Sequence, residues 1–154
     1  MDRIIKLLEQ IEAYSAFSHR VNPKVSQASV GWHLEHVTLV ISSVVVALGA
    51  SQPEHYRPKK FSLVKLWILN TGILPRGKVK SPKSVQPKEQ PTEQSVSTLV
   101  AKTKQKIQAA SPFQPTQFFS HPLFGDLRLN QAIRFLEVHT RHHLNIIKDI
   151  LKKN

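Results

Sequence analysis

The sequence predicts an all-α protein: a helical bundle of four long helices with one long crossover between the second and the third. Three observations carry this. Ten prolines leave four long proline-free spans, 1–22, 24–52, 92–111 and 123–154, and a proline inside a helix costs ~3 kcal/mol. Within each span apolar residues recur at helical spacing. Between the second and third spans, residues 75–91 hold four of the ten prolines and almost no large apolar side chains.

In the first span Ile4, Leu7, Leu8, Ile11 and Tyr14 form one helical face. The second helix starts near Ser29 and ends near Gly49. It is apolar nearly all round, which marks a central, buried helix. Its most apolar stretch, Val37 to Ala50, has 14 residues, short of the ~20 that a spanning helix needs. Charges at Asp2, Arg3, Lys6, Glu9 and Glu12 interrupt any signal-peptide core. The expectation is a soluble, cytoplasmic protein with no membrane partner. A shorter helix, Leu63 to Asn70, starts at Ser62 and stops at Gly72. The Pro/Lys-rich crossover 75–91 should be extended and solvated, as in bundles that are not simply up-down-up-down. The third long helix carries Val96, Leu99, Val100, Thr103 and Ile107 opposite Lys102, Lys104 and Lys106. The fourth runs from about Arg128 to Lys152, with Asp126 as a candidate cap and terminal lysines suited to the helix dipole. There is no strand alternation, repeat or second domain. Residues 1–154 read as one domain, within the usual ~100–150-residue scale.

Composition narrows the chemistry. With no cysteine there is no disulfide framework, thiolate zinc site or cysteine nucleophile. Five glycines form no phosphate-cradling loop, and no Gly-x-Ser-x-Gly elbow occurs. The ten carboxylates are scattered without an obvious acid–base pair, so no catalytic residue can be named. Eight histidines remain, and any metal chemistry must use imidazole and carboxylate. The formal net charge is +12, and residues 57–106 alone contribute +10.

Two histidines stand out on the last helix. At about 100° per residue, His139 and His143 lie about 40° apart on the face shared by Ala132, Phe135, Ile146 and Ile150. Glu137, Arg141 and Lys148 fall on the opposite side, and His142 lies at the margin of the apolar stripe. Imidazoles in a core face need partners, because burying an unpaired polar group costs roughly 1–3 kcal/mol. An i, i+4 pair can point both rings at one ion. A third ligand should come from the second helix, where His36 shares a face with Val40, Ser43 and Ala47. His33, about 60° away, is also placed to reach. The ordinary alternative is a set of hydrogen-bonded core histidines. His19, His55 and His121 read first as loop residues.

The run SVGWHLEH, Ser29 to His36, followed by His139 and His143 on the last helix, resembles the DinB/YfiT-like superfamily. HPLFG at 121–125 and LPRG at 74–77 resemble one uncharacterised DinB-like subgroup. The likeness covers most of the chain in the right order. It implies a four-helix bundle with a long crossover and a divalent metal held by His36, His139 and His143. His33 and His142 do not match ligand positions. With His121 and Phe124 they are candidates for the pocket around the ion or for support of the ligands. In one departure Arg128 stands where the subgroup often has a threonine cap.

The resemblance points first to a metal-dependent enzyme. Characterised relatives include thiol-dependent transferases and isomerases in which the metal holds a low-molecular-weight thiol, and a hydrolase is the neighbouring possibility. Zinc or nickel fits first, with iron or manganese next, since imidazole suits several metals. Arg76, Lys78 and Lys80 form a candidate rim for an anionic substrate. Relatives often pair into homodimers, and helix one offers an apolar face for that. A second reading takes the basic 57–106 segment as a nucleic-acid or acidic-surface binder. Only one aromatic, Trp67, follows Phe61 there, so a base-stacking platform is missing. A third is a non-catalytic metal-binding bundle.

Overall fold

The computed structural model describes residues 1–58, 63–77, 81–110 and 112–152. Among them the chain forms α1 (Asp2–Ala13), α2 (Val30–Ala50), α3 (Leu63–Thr71), α4 (Glu93–Ala110), a hairpin of β1 (Phe118–His121) and β2 (Gly125–Arg128), and α5 (Leu129–Leu151). The four long proline-free spans each hold a long helix, and the protein is mostly helical. The expected start of α3 at Ser62 lies outside the described residues.

One hydrophobic core joins the long helices. Ile4, Leu7, Leu8 and Ile11 of α1 are buried in it, so this face of α1 is used inside the fold. α2 lies at the centre, packed against α4, α5 and α1. That position explains most of its all-round apolar surface, since a helix covered on several sides has little solvent face to mark with charges; Val46 is a large apolar side chain that it leaves exposed. By length and composition α2 is apolar enough to cross a membrane, yet most of that stretch is buried inside the fold. Its start is capped by Ser29, whose hydroxyl accepts the Trp32 N–H at 3.1 Å.

The first turn of α2 is pressed against two backbone segments. The Gly31 N–H donates to the Ser18 carbonyl at 3.0 Å. A Cβ at position 31 would stand 3.0 Å from that carbonyl oxygen and 3.1 Å from the carbonyl oxygen of Pro91. Neither backbone atom can rotate away. Gly31→Val should therefore destabilise the protein by about 1–3 kcal/mol, as overpacking does. Urea denaturation would show this as a lower midpoint, and an unchanged midpoint would show that the helix end yields freely.

Three local expectations are corrected. A two-stranded antiparallel sheet forms where no strand was expected, with Phe118 opposite Arg128 and His121 opposite Gly125. Each strand has only four residues, and the adjacent Asp126 and Leu127 are both buried, so no period-two pattern exists to read. The reversal uses Gly125 at φ +68°, where a side chain would be strained. Asp126 does not cap α5. Its carboxylate accepts the Arg57 N–H at 2.7 Å and the Ser120 hydroxyl at 2.6 Å, tying the hairpin to the chain after α2. Arg128 is the N-cap of α5, and its N–H is taken by the Gln131 side-chain oxygen at 3.3 Å.

The crossover is the third correction. It is not wholly extended and solvated. Lys83–Val85 forms one 3₁₀ turn, and Val85 and Pro91 are buried. The 3₁₀ turn packs on α2. Val85, one of two valines in this polar segment, joins the hydrophobic core.

Candidate metal centre

His36, His139 and His143 come together. One ring nitrogen from each lies within 4.8 Å of the other two, close enough to hold a single ion. His36 projects from α2 and the other two from successive turns of α5. His36 and His143 are buried, and His139 is partly buried. The ring centroids stand 5.2 Å (His36–His139), 4.8 Å (His36–His143) and 4.7 Å (His139–His143) apart.

Hydrogen bonds fix the state of His36. Its Nδ1 lies 2.7 Å from the Val85 carbonyl oxygen. A carbonyl only accepts, so Nδ1 carries the proton and Nε2 keeps its lone pair. A backbone carbonyl on the far ring nitrogen is the usual support for a metal-binding imidazole. Trp32 stacks on the same ring at 5.0 Å and 17°.

His143 is held by another histidine. Its Nδ1 is 2.9 Å from Nδ1 of His33, and His33 Nε2 is 3.0 Å from the Ser26 hydroxyl. One of the two facing nitrogens must donate and the other accept. If His143 is to offer Nε2 to an ion, its Nδ1–H donates to His33, and His33 passes its own Nε2–H to Ser26. Ser26 Oγ already accepts the Ala28 N–H at 3.1 Å, which suits a hydroxyl used as an acceptor. The chain Ser26–His33–His143 thus holds one ligand much as Val85 holds another.

The donor set fits a divalent cation. Nδ1 of His139 is buried with no hydrogen-bond partner. Left unpartnered in a core, that nitrogen is costly, and a cation bound to it would repay the cost. All the rings are held neutral. Burial, then the charges of His36, His142 and His121, push His139 down to about 3. Burial, His36, His142 and Arg76 push His33 to about 4. His143 lies well below the usual imidazole range through burial and the neighbouring rings. His36 is lowered by burial, partly offset by the Val85 hydrogen bond. Neutral imidazole is the form that binds metal.

The other sequence candidates take different places. His142 is near the cluster, 5.1 Å from the His143 ring, and bonds the Leu74 backbone. His121 belongs to the hairpin. Its Nδ1 accepts the N–H groups of Leu123 (3.1 Å) and Phe124 (3.2 Å), and its ring stacks on Phe124 at 4.4 Å. Phe135 stands between this turn and the cluster, 4.7 Å from His121 and 5.4 Å from His139. His121 and Phe124 therefore build an aromatic wall beside the site. Arg76 pairs with Asp149 at 2.7 Å, although its charge still lowers His33 and His142. Lys78 and Lys80 lie outside the described residues. Sequence reading missed Val85 and Ser26, and read Phe135 only as part of the apolar face it shares with His139. The one available signal for Val85 was that it is one of only two valines, with Val79, in an otherwise polar crossover. Ser26 carried none.

No family model, curated protein or solved structure matches this chain.

Proposed function

We propose that this protein is a DinB/YfiT-like four-helix bundle that binds a divalent metal on His36, His139 and His143 and works as a thiol-dependent transferase or isomerase, with a hydrolase as the neighbouring possibility. The observation that carries the reading is the convergence of three neutral imidazoles within 4.8 Å, one of them locked by a backbone carbonyl. Three histidine ligands leave further coordination positions open, as catalytic sites do and closed structural sites do not. When bound, the ion would act as a Lewis acid toward a thiol, water or substrate oxygen and lower its pKa. The chain's own groups do the rest. Val85 orients His36, the Ser26–His33 pair orients His143, and Trp32 and Phe135 cover ring faces with apolar surface. The thiol must come from outside, since the chain has no cysteine.

Elemental analysis of the purified protein, followed by cobalt substitution, tests both halves. About one equivalent of divalent metal is expected. A low-molecular-weight thiol should add a thiolate charge-transfer band to the cobalt spectrum. Metal without a thiol response would leave a non-catalytic metal-binding bundle, and no metal would overturn the reading. The basic segment gives less support to nucleic-acid binding. Lys104 pairs with Glu12 at 2.7 Å, and Lys106 reaches the Ser42 hydroxyl at 2.9 Å, so two of the α4 lysines have partners inside the fold.

A further inference from the structure

α3 is amphipathic the wrong way round. At about 100° per residue, Leu66, Asn70, Leu63, Trp67, Thr71 and Val64 follow one another around a face roughly 160° wide. Its four large apolar side chains are exposed: Leu63 71%, Val64 61%, Leu66 48% and Trp67 45%. Ile73, just beyond the helix, is 57% exposed. The inner side is anchored instead. Ile68 is buried, and Arg134 of α5 donates to the Leu69 carbonyl at 2.8 Å. α3 is thus fixed to the body with its apolar side outward. A contiguous exposed apolar face of this kind marks an interaction surface.

The charge of this stretch of sequence is one-sided. Residues 57–80 contain seven Lys/Arg and no Asp/Glu, spread before, within and after the helix. We propose that α3 docks this protein peripherally on an anionic lipid surface. Leu63, Val64, Leu66 and Trp67 enter the headgroup region, and the net positive charge of the segment attracts the lipid charge. Each Lys/Arg near such a surface is worth about 1 kcal/mol. An outward apolar helix face bracketed by basic residues is the pattern of an interfacial helix, and Trp favours that depth. The sequence-based expectation of no membrane partner rests on the lack of a spanning segment, which peripheral docking does not need.

Other occupants fit less well. A second copy laid α3 against α3 would bring two segments of the same strong positive charge together. A nucleic acid would use the charge but leave the apolar side chains in water. A shaped protein partner would look for directional polar contacts. Thr71 already spends its hydroxyl on the Trp67 carbonyl at 2.7 Å, which leaves Asn70 as the one polar side chain on the face with no such internal bond.

Flotation of the full-length protein with vesicles tests this, with or without bound metal. Binding to phosphatidylcholine vesicles containing about 30% phosphatidylserine should be at least ~10-fold tighter than to phosphatidylcholine alone, and should weaken in salt. Trp67→Glu, and separately Val64→Glu, should each lower it ~10-fold at unchanged helical circular dichroism. Both sites are exposed, so neither variant threatens the core. No binding to the anionic vesicles, or variants that bind like the wild type, would overturn the proposal. So would a wild-type dimer that Trp67→Glu dissociates without any vesicle binding, which would assign the face to a second copy.

Discussion

Zinc titrated into the His139→Ala variant should bind at least ~100-fold more weakly than to the wild type. The expectation rests on the position of His139, within 4.8 Å of ligand atoms from both α2 and α5. Losing one of three ligands costs more than losing a supporting hydrogen bond, which typically costs ~10–100-fold. His33→Ala should fall in that smaller range, because His33 holds His143 through the 2.9 Å Nδ1–Nδ1 contact without being one of the three ligands. His33→Asn, whose side-chain oxygen can still accept from His143, should recover part of the loss. His121→Ala should leave zinc affinity unchanged, since its Nδ1 is spent on the hairpin backbone. The graded order, ligand above support above wall, is what distinguishes a metal centre from a cluster of core histidines. Equal zinc affinity in wild type and His139→Ala would sink it.

The metal-free protein should also lose several kcal/mol of stability between pH 7 and pH 4. His33 and His121 are lowered to about 4 and His139 to about 3, against an ordinary value of 6.5. Burial is the largest cause in each. The sign follows from proton binding. Between pH 6.5 and the folded-state values the unfolded chain takes up protons that the folded protein refuses, so acid favours unfolding. Each lowered group can contribute up to about 1.4 kcal/mol per pH unit in that window. Small domains are stable by only ~5–15 kcal/mol, so two or three such groups bring the protein close to unfolding near pH 4. The loss is complete once pH has fallen through the folded values, and the full stability is present above pH 6.5. Urea midpoints at pH 7, 5.5 and 4, with chelator present, would follow it. A flat midpoint across that range would mean that the rings are not held neutral by burial. Bound metal should shift the loss to lower pH, because protons and the ion compete for the same nitrogens.

The helices were legible because their signals are local. Proline spacing and the recurrence of apolar residues at helical intervals describe a chain segment whatever it packs against. α1, α2, α4 and α5 all fall inside their proline-free spans. His139 and His143 were equally readable: one turn of helix separates them, so their common direction is fixed by helix geometry alone. The hairpin was not legible. Its strands are four residues long, and its buried Asp126 is a polar residue satisfied by Arg57, 69 positions away.

The sequence by itself determined that this protein is helical, which faces of α1, α4 and α5 turn inward, and that two histidines share one of those faces. Only the tertiary structure decided which groups complete the site. Val85 lies 49 residues from His36, and His33 lies 110 residues from His143. No periodicity spans such distances. The tautomer of an imidazole, and so which nitrogen it can offer to an ion, depends on the partner that packing brings to its other side. The outward apolar face of α3 shows the same division. Its composition reads as an ordinary core-facing helix, and only the packing of Ile68 and the Arg134 contact show which side was left to solvent.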